Sequence, residues 1–265
     1  MSGSSSDLTA NPAGNRHSLG CRCTWVLPAL VLAFLPLPAQ AGPPFLTDDP
    51  EPTETGHWEI YAPLFEADGR GGDFDGTAAI ELNFGAAPDL QLTLALPVAL
   101  SHAAGAGWRG GAGDIEVSAK YRLLHDEKAG VQIAVFPGLS LPTASKGFGE
   151  GRVNALLPVW VQKDTGPWSF FGGGGYAVHP GAGNRNYWTA GLAITRQLDS
   201  RTLIGIEADH NTADADGGLG STSLGIGFDH SLKGPLRILA SGGPTIEDRT
   251  GATGFHAFVA LGWNL

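Results

Sequence analysis

A chain of 265 residues with 40 glycines, only 16% charged residues and a net charge of −10 suits neither a disordered polymer nor a helical bundle. The acidic balance argues against a nucleic-acid partner held by charge. The length suits one large all-β domain or two small ones.

The first element in chain order reads as an export signal. RHSLGCRCTWVLPALVLAFLPLPAQA (16–41) places Arg16 and Arg22 ahead of or at the edge of an apolar run over 25–38, and Ala39-Gln40-Ala41 fits a small-x-small cleavage site. We expect cleavage after Ala41, so that 1–41 is a signal peptide. A membrane anchor fits less well, because the run is shorter than the roughly 18–20 residues of a spanning helix and contains prolines. Cys21 precedes the apolar run, which argues against a lipoprotein signal. Both cysteines, Cys21 and Cys23, leave with the signal. The mature chain then has no disulfide, thiolate metal site or Cys nucleophile, and its 14 basic and 25 acidic residues give a net charge of −11.

Residues 42–56 read as an N-terminal periplasmic segment, and 57–265 as a run of strands. Side chains alternate across a strand. Leu90, Leu92, Leu94, Leu96, Val98 and Leu100 share one parity, with Gln91, Thr93, Ala95, Pro97 and Ala99 on the other. Ile115, Val117, Ala119, Tyr121 and Leu123 alternate with Asp114, Glu116, Ser118, Lys120 and Arg122; Phe255, Ala257, Val259, Leu261, Trp263 and Leu265 alternate with His256, Phe258, Ala260, Gly262 and Asn264. The pattern predicts about twelve strands, at 57–66, 76–84, 89–100, 113–124, 130–142, 152–163, 167–178, 186–198, 201–210, 221–232, 235–243 and 254–265.

Short turns near 85–88, 125–129, 164–166, 199–200 and 233–234 alternate with longer Gly/Asp-rich loops near 67–75, 101–112, 143–151, 179–185, 211–220 and 244–253. Short periplasmic turns and long outer loops are the habit of outer-membrane barrels. Phe84, Tyr121, Trp168, Phe228 and Trp263 sit on the apolar parity near one end of their strands, and Trp188 and Phe255 near the other, as interfacial girdles do. A soluble sandwich would meet water with many charges on its polar parity, whereas that parity here is mostly Gly, Ser, Thr, Ala and Gln. The sequence therefore predicts a single antiparallel transmembrane β-barrel of a Gram-negative outer membrane. Pro63, Pro97, Pro137 and Pro158 fall inside strands, where each removes a ladder hydrogen bond, and predict bulges or kinks. Arg196 falls on the lipid parity near a periplasmic end, within reach of the interface.

Several stretches carry a family resemblance: GPPFLTDDPEPTETGHWEIY (42–61), GDIEVSAKYRLLHD (113–126), VFPGLSLPT (135–143), LPVWVQKDTGPWSFFGGGGY (157–176), PGAGNRNYWTAGLAITRQL (180–198) and HNTAD (210–214). The chain resembles, over essentially all of 42–265, a family of outer-membrane proteins named for the meta-cleavage pathway of phenol degradation. The resemblance implies an outer-membrane barrel and uptake of aromatic or other hydrophobic compounds. It carries over no catalytic or binding residue. The chain ends in Leu265 where outer-membrane proteins commonly end in an aromatic, with Trp263 two positions earlier, so a somewhat lower insertion efficiency is expected. The expected partners are outer-membrane lipid and lipopolysaccharide, the barrel-assembly machinery and small solutes.

Other motifs read as structure. GAGWRG (105–110) has no following helix, so it is a flexible loop and no dinucleotide site. FGGGGY (171–176) has no Lys-Ser/Thr after it, and its glycines leave room in the lumen or allow curvature. Asp73 with Asp75 and Asp214 with Asp216 lack full calcium-loop spacing. Asp229-His230-Ser231 puts His and Ser on opposite faces of a strand, against a hydrolase triad. No cofactor or metal is expected. The candidate lumen residues are Glu59, Glu81, Asp114, Glu116, Lys120, Arg122, Glu207, Asp209, Asp229 and Arg237. They brace a small barrel by cross-lumen ion pairs, or they line a narrow path. The function expected is passive passage of small, hydrophobic or aromatic molecules. A closed structural or surface-binding barrel is the alternative, and an outer-membrane hydrolase the third reading.

Overall fold

The computed structural model describes residues 44–265. The export signal and its cleavage site lie outside the described residues. Fourteen strand segments follow one another: β1 (Trp58–Arg70), β2 (Asp73–Ala87), β3 (Leu90–His102), β4 (Trp108–Ala112), β5 (Ile115–Asp126), β6 (Val131–Val135), β7 (Gly138–Leu141), β8 (Asn154–Thr165), β9 (Trp168–Val178), β10 (Tyr187–Gln197), β11 (Thr202–Asn211), β12 (Ser221–Ser231), β13 (Leu236–Glu247) and β14 (Thr253–Asn264). β4 and β5 pair with the outer and inner halves of β3, and β6 and β7 both pair with β5 and with β8. Each of these pairs is one broken stave, so fourteen segments make twelve staves.

The sheet closes on itself. β1 pairs antiparallel with β14 from Glu59↔Asn264 to Arg70↔Gly254, and Trp58 and Leu265 exchange backbone hydrogen bonds of 2.8 Å at the seam. Closure is what lipid demands, since an open edge would leave backbone N–H and C=O groups unpaired in hydrocarbon. The alternation then sorts the side chains. Leu92, Leu96, Val98 and Leu100 are exposed on the outer wall, while Gln91, on the opposite parity of the same strand, is buried inside. Trp58 and Phe84 pack with ring centroids 4.6 Å apart near one rim, and Tyr176 and Trp188 at 4.9 Å near the other. Arg196 lies over the Trp168 ring at 5.2 Å, its charge held at the interface.

The prolines divide into two kinds. Pro63 sits in a bulge where the register of β1 shifts between Tyr61 and Leu64, and Pro137 sits in the break between β6 and β7. Pro97 and Pro158 lie in unbroken strands, but their carbonyls accept from Gly113 (2.9 Å) and Phe136 (3.2 Å) at the breaks in the neighbouring staves. A proline that cannot donate is thus set against a partner strand that has left the ladder.

Three expectations change. The loop predicted at 67–75 is a tight turn, because β1 and β2 extend until only Gly71 and Gly72 join them, with φ of 60° and 96°. Two consecutive positive φ values are the requirement of a two-residue hairpin, and glycine meets it without strain. The loop predicted at 101–112 contains β4, and β13 runs to Glu247, shortening the last outer loop. The interior is also less uniformly polar than the small residues suggest. Tyr61, Leu64, Leu239, Phe258 and Ala260 form a buried apolar patch inside the seam, and Trp160 and Phe171 are buried further round the wall.

Candidate functional site in the barrel interior

The main feature of the interior is the chain's own N-terminal segment. Of the segment 42–56, read from sequence as a periplasmic lead-in, the described residues 44–56 turn into the barrel and cross it. Thr53 donates from its backbone N to Gln91 Oε1 on β3 (2.7 Å). The Lys120 ammonium on β5 reaches Asp48 Oδ1 (3.1 Å), Asp49 Oδ1 (3.9 Å) and the Glu51 carbonyl (3.4 Å). On the opposite wall Thr47 N donates to Glu207 Oε2 on β11 (3.0 Å), and the Ser241 hydroxyl on β13 donates to the Pro44 carbonyl. Phe45 meets Phe171 edge-on with centroids 6.3 Å apart.

Glycines make room for this crossing. A Cβ on Gly191 would stand 2.2 Å from Thr47, and Cβ atoms on Gly205 and Gly227 would stand 2.7 and 3.0 Å from Phe45. All three positions face inward. Burial pushes the Asp49 carboxyl up to about 7, against the pull of Lys120, and pushes Glu51 up to about 8, with Asp49 adding to the rise.

The sequence-predicted charges separate by position. Glu59, Asp229 and Arg237 come together: the buried Arg237 guanidinium holds Glu59 Oε1 at 2.5 Å, makes a close bidentate pair with Asp229, and reaches Asn264 Oδ1 at 3.4 Å. Arg122 lies at a short turn, 2.8 Å from both Asp89 Oδ1 and Gln132 Oε1. Asp89 itself sits at φ 62°. Asp114 lies at the break between β4 and β5, where its two oxygens accept from Ala144 N (2.8 Å) and Glu150 N (3.1 Å) and draw the loop 142–153 inward. Glu207 holds the N-terminal segment, and Asp209 accepts from Asn211 (3.0 Å). Glu81 accepts from Asn83 (2.8 Å), and with Glu116 it faces an open cavity.

That cavity has a volume of about 750 Å³. Phe45, Leu46, Asp48 and Glu51 of the crossing segment form part of its lining, as do Glu150, His179, Tyr187 and Asp214 from the outer rim. At that rim the Glu150 carboxylate lies 3.5 Å from His179 Nε2 and accepts from Asn184 Nδ2 at 3.1 Å, which ties two outer loops together. One wall carries Glu66, Glu81 and Glu116; the other carries Leu156, Pro158 and Trp160. The glycine run packs on the strand that carries this second wall. A Cβ on Gly175 would stand 2.8 Å from Pro158 and one on Gly173 would stand 3.0 Å from the Trp160 ring, so glycine lets β9 close on β8.

Reading by sequence missed Asp48, Asp49, Glu51, Glu66, Glu150 and Trp160 as interior groups. The lumen-parity glycines 191, 205 and 227 were the available signal, since a strand interior has little other use for them. Among the described residues, no cluster of three or more His, Cys, Asp and Glu is arranged to hold a metal ion. His230 points away from Asp229 and Ser231, and its Nδ1 lies 3.0 Å from Thr202 Oγ1.

No protein-family model matches the sequence. No curated protein matches it by sequence either. Solved structures do match the fold. An outer membrane channel from Pseudomonas putida F1 superposes with a TM-score of 0.70 at 14% identity, covering 85% of this chain and all of that one. The NanC porin superposes at 0.54 with 10% identity, covering 77% of this chain and 100% of its own. The KdgM porin, solved in complex with disordered oligogalacturonate, superposes at 0.51 with 11% identity over 77% of this chain and 98% of its own. A closed twelve-stave barrel with an apolar outer belt, a charged interior and this likeness is an outer-membrane β-barrel of the channel and porin fold.

Proposed function

We propose that this barrel passes small apolar molecules, aromatic ones among them, passively across the outer membrane. The observation that carries the reading is the cavity. Its volume of about 750 Å³ falls within the roughly 300–1,000 Å³ of small-molecule sites. Leu156, Pro158 and Trp160 give it an apolar strip, which a pathway for sugars would not need. Of the ten interior charges, Glu81 and Glu116 line the path. Lys120 and Glu207 hold the crossing segment, Asp114 holds the outer loop, and Glu59, Asp229 and Arg237 brace the wall. The outer rim meets lipopolysaccharide, and β14 is the strand handled by barrel-assembly machinery.

Flux through proteoliposomes tests this. Mature protein should admit benzyl alcohol faster than arabinose. No flux above protein-free liposomes, with folding shown by a heat-dependent gel shift, would remove the channel reading. One observation favours a second reading, a closed barrel acting through its outer loops: residues 44–53 cross the lumen from Gln91 to Glu207. Truncation of 44–53 separates the two, since a gated path gains flux and a closed surface-binding barrel keeps its loop interactions.

A further inference from the structure

We infer that the cavity selects solutes carrying a positive charge on an apolar body, such as organic ammonium ions. This deepens the channel reading by naming the class of solute, and rests on that reading only for transport, not for binding.

The acidic wall is built by strand register. Glu81 on β2 and Glu116 on β5 both oppose Ala95 on β3. Neighbouring strands lie about 4.8 Å apart, so the two acidic residues stand about 10 Å apart with a methyl between them. Glu66 on β1 joins them on the cavity lining. None of these three carboxylates has an ion-pair partner among the described residues. The two basic side chains on the cavity surface are already engaged, Lys120 by Asp48 and Asp49 and His179 by Glu150. An entering cation therefore relieves repulsion between acids that the chain itself leaves uncompensated.

The facing wall supplies an independent observation. Trp160 lines the cavity together with other apolar side chains. With Leu156 and Pro158 beside it, the indole offers the surface on which an aromatic or aliphatic body packs, and a π-face attractive to cations. Carboxylates on one side and an apolar face on the other describe an amphipathic guest. An anion would meet repulsion from the acidic wall, and a neutral apolar solute would gain from one wall alone.

The test is equilibrium dialysis of mature protein in nanodiscs against phenethylammonium, 2-phenylethanol and phenylacetate, with empty nanodiscs subtracted. We expect the ammonium ion to be retained at least tenfold more tightly than the alcohol, and phenylacetate least. The preference should shrink in the combined variant E66Q, E81Q and E116Q. It should also shrink in the unaltered protein between 20 and 500 mM salt, a reading that needs no variant to fold. Equal retention of the three probes, or a preference untouched by salt, overturns the proposal. Flux of the same probes fails separately: charge-selective binding without flux removes the channel and keeps the site, whereas flux indifferent to charge keeps the channel and removes the site.

Discussion

The Nζ of Lys120 on β5 stands 3.1 Å from Oδ1 of Asp48 in the N-terminal segment. The lysine side chain is 5% exposed, so one buried cation on the wall fastens the segment that crosses the lumen. Breaking a buried pair by removing one partner typically costs about 3–5 kcal/mol, because the other charge is left uncompensated. Lys120→Met should therefore release residues 44–53. In planar bilayers we expect conductance at least several-fold above the unaltered protein, with trypsin- and heat-resistance of the barrel retained. Unchanged conductance would mean that Lys120 does not fasten the segment.

The glycine gaps make a second prediction. A methyl on Gly191 would lie 2.2 Å from Thr47, and overpacking of this kind costs about 1–3 kcal/mol. Gly191→Ala should weaken docking of the segment while leaving the ladder between β10 and β11 intact. Hydrogen exchange at Thr47, which donates to Glu207, should accelerate roughly tenfold or more, with exchange in the strands unaltered.

A pH dependence follows from Asp49 and Glu51, whose carboxyls are raised by burial to about 7 and about 8 when the segment is docked. Their ordinary values are 3.8 and 4.5. A group with a higher pKa when docked binds protons on docking, so docking is most favoured below the ordinary values and loses ground as pH rises toward the docked ones. The segment should exchange and conduct more at pH 8.5 than at pH 5. The reverse trend would show that the Lys120 attraction outweighs burial.

Arg237 predicts a stability effect at the seam. Arg237→Met leaves Glu59 and Asp229, both facing the guanidinium, as like charges without a cation. The thermal midpoint of the gel-shift transition should fall, in line with a loss of about 3 kcal/mol. The double variant R237M with D229N should recover part of it, since it removes one of the orphaned charges.

Lipid-facing and lumen-facing positions should respond oppositely to charge. Leu96 is exposed on the outer wall, and Ala99 lines a small interior pocket near the outer rim. Leu96→Arg should cost about 2–4 kcal/mol of folding stability in lipid if it lies near the midplane, whereas Ala99→Arg should fold normally. Urea titrations in liposomes compare the two.

The local pattern of the chain determined the barrel itself. Six aliphatic residues on one parity of 90–100 must leave water, and residues of one parity can do so only on one face. The outer belt, the aromatic rims and most strand positions follow from a two-residue period that each strand carries within itself. The tight turn at Gly71 and Gly72 was obscured because glycine and aspartate also mark loops, and only the pairing of Arg70 with Asp73 shows that the strands run to their limit. The tertiary structure decided which charges meet. Glu59 and Arg237 are 178 positions apart, and their pairing depends on closure between β1 and β14. Thr47 and Glu207 meet only because a segment without strand periodicity turns inward, where glycines on β10, β11 and β12 leave it space. Alternation sets which way a side chain points, but what it finds there depends on the barrel's circumference and on what fills it, and neither is a local property of the sequence.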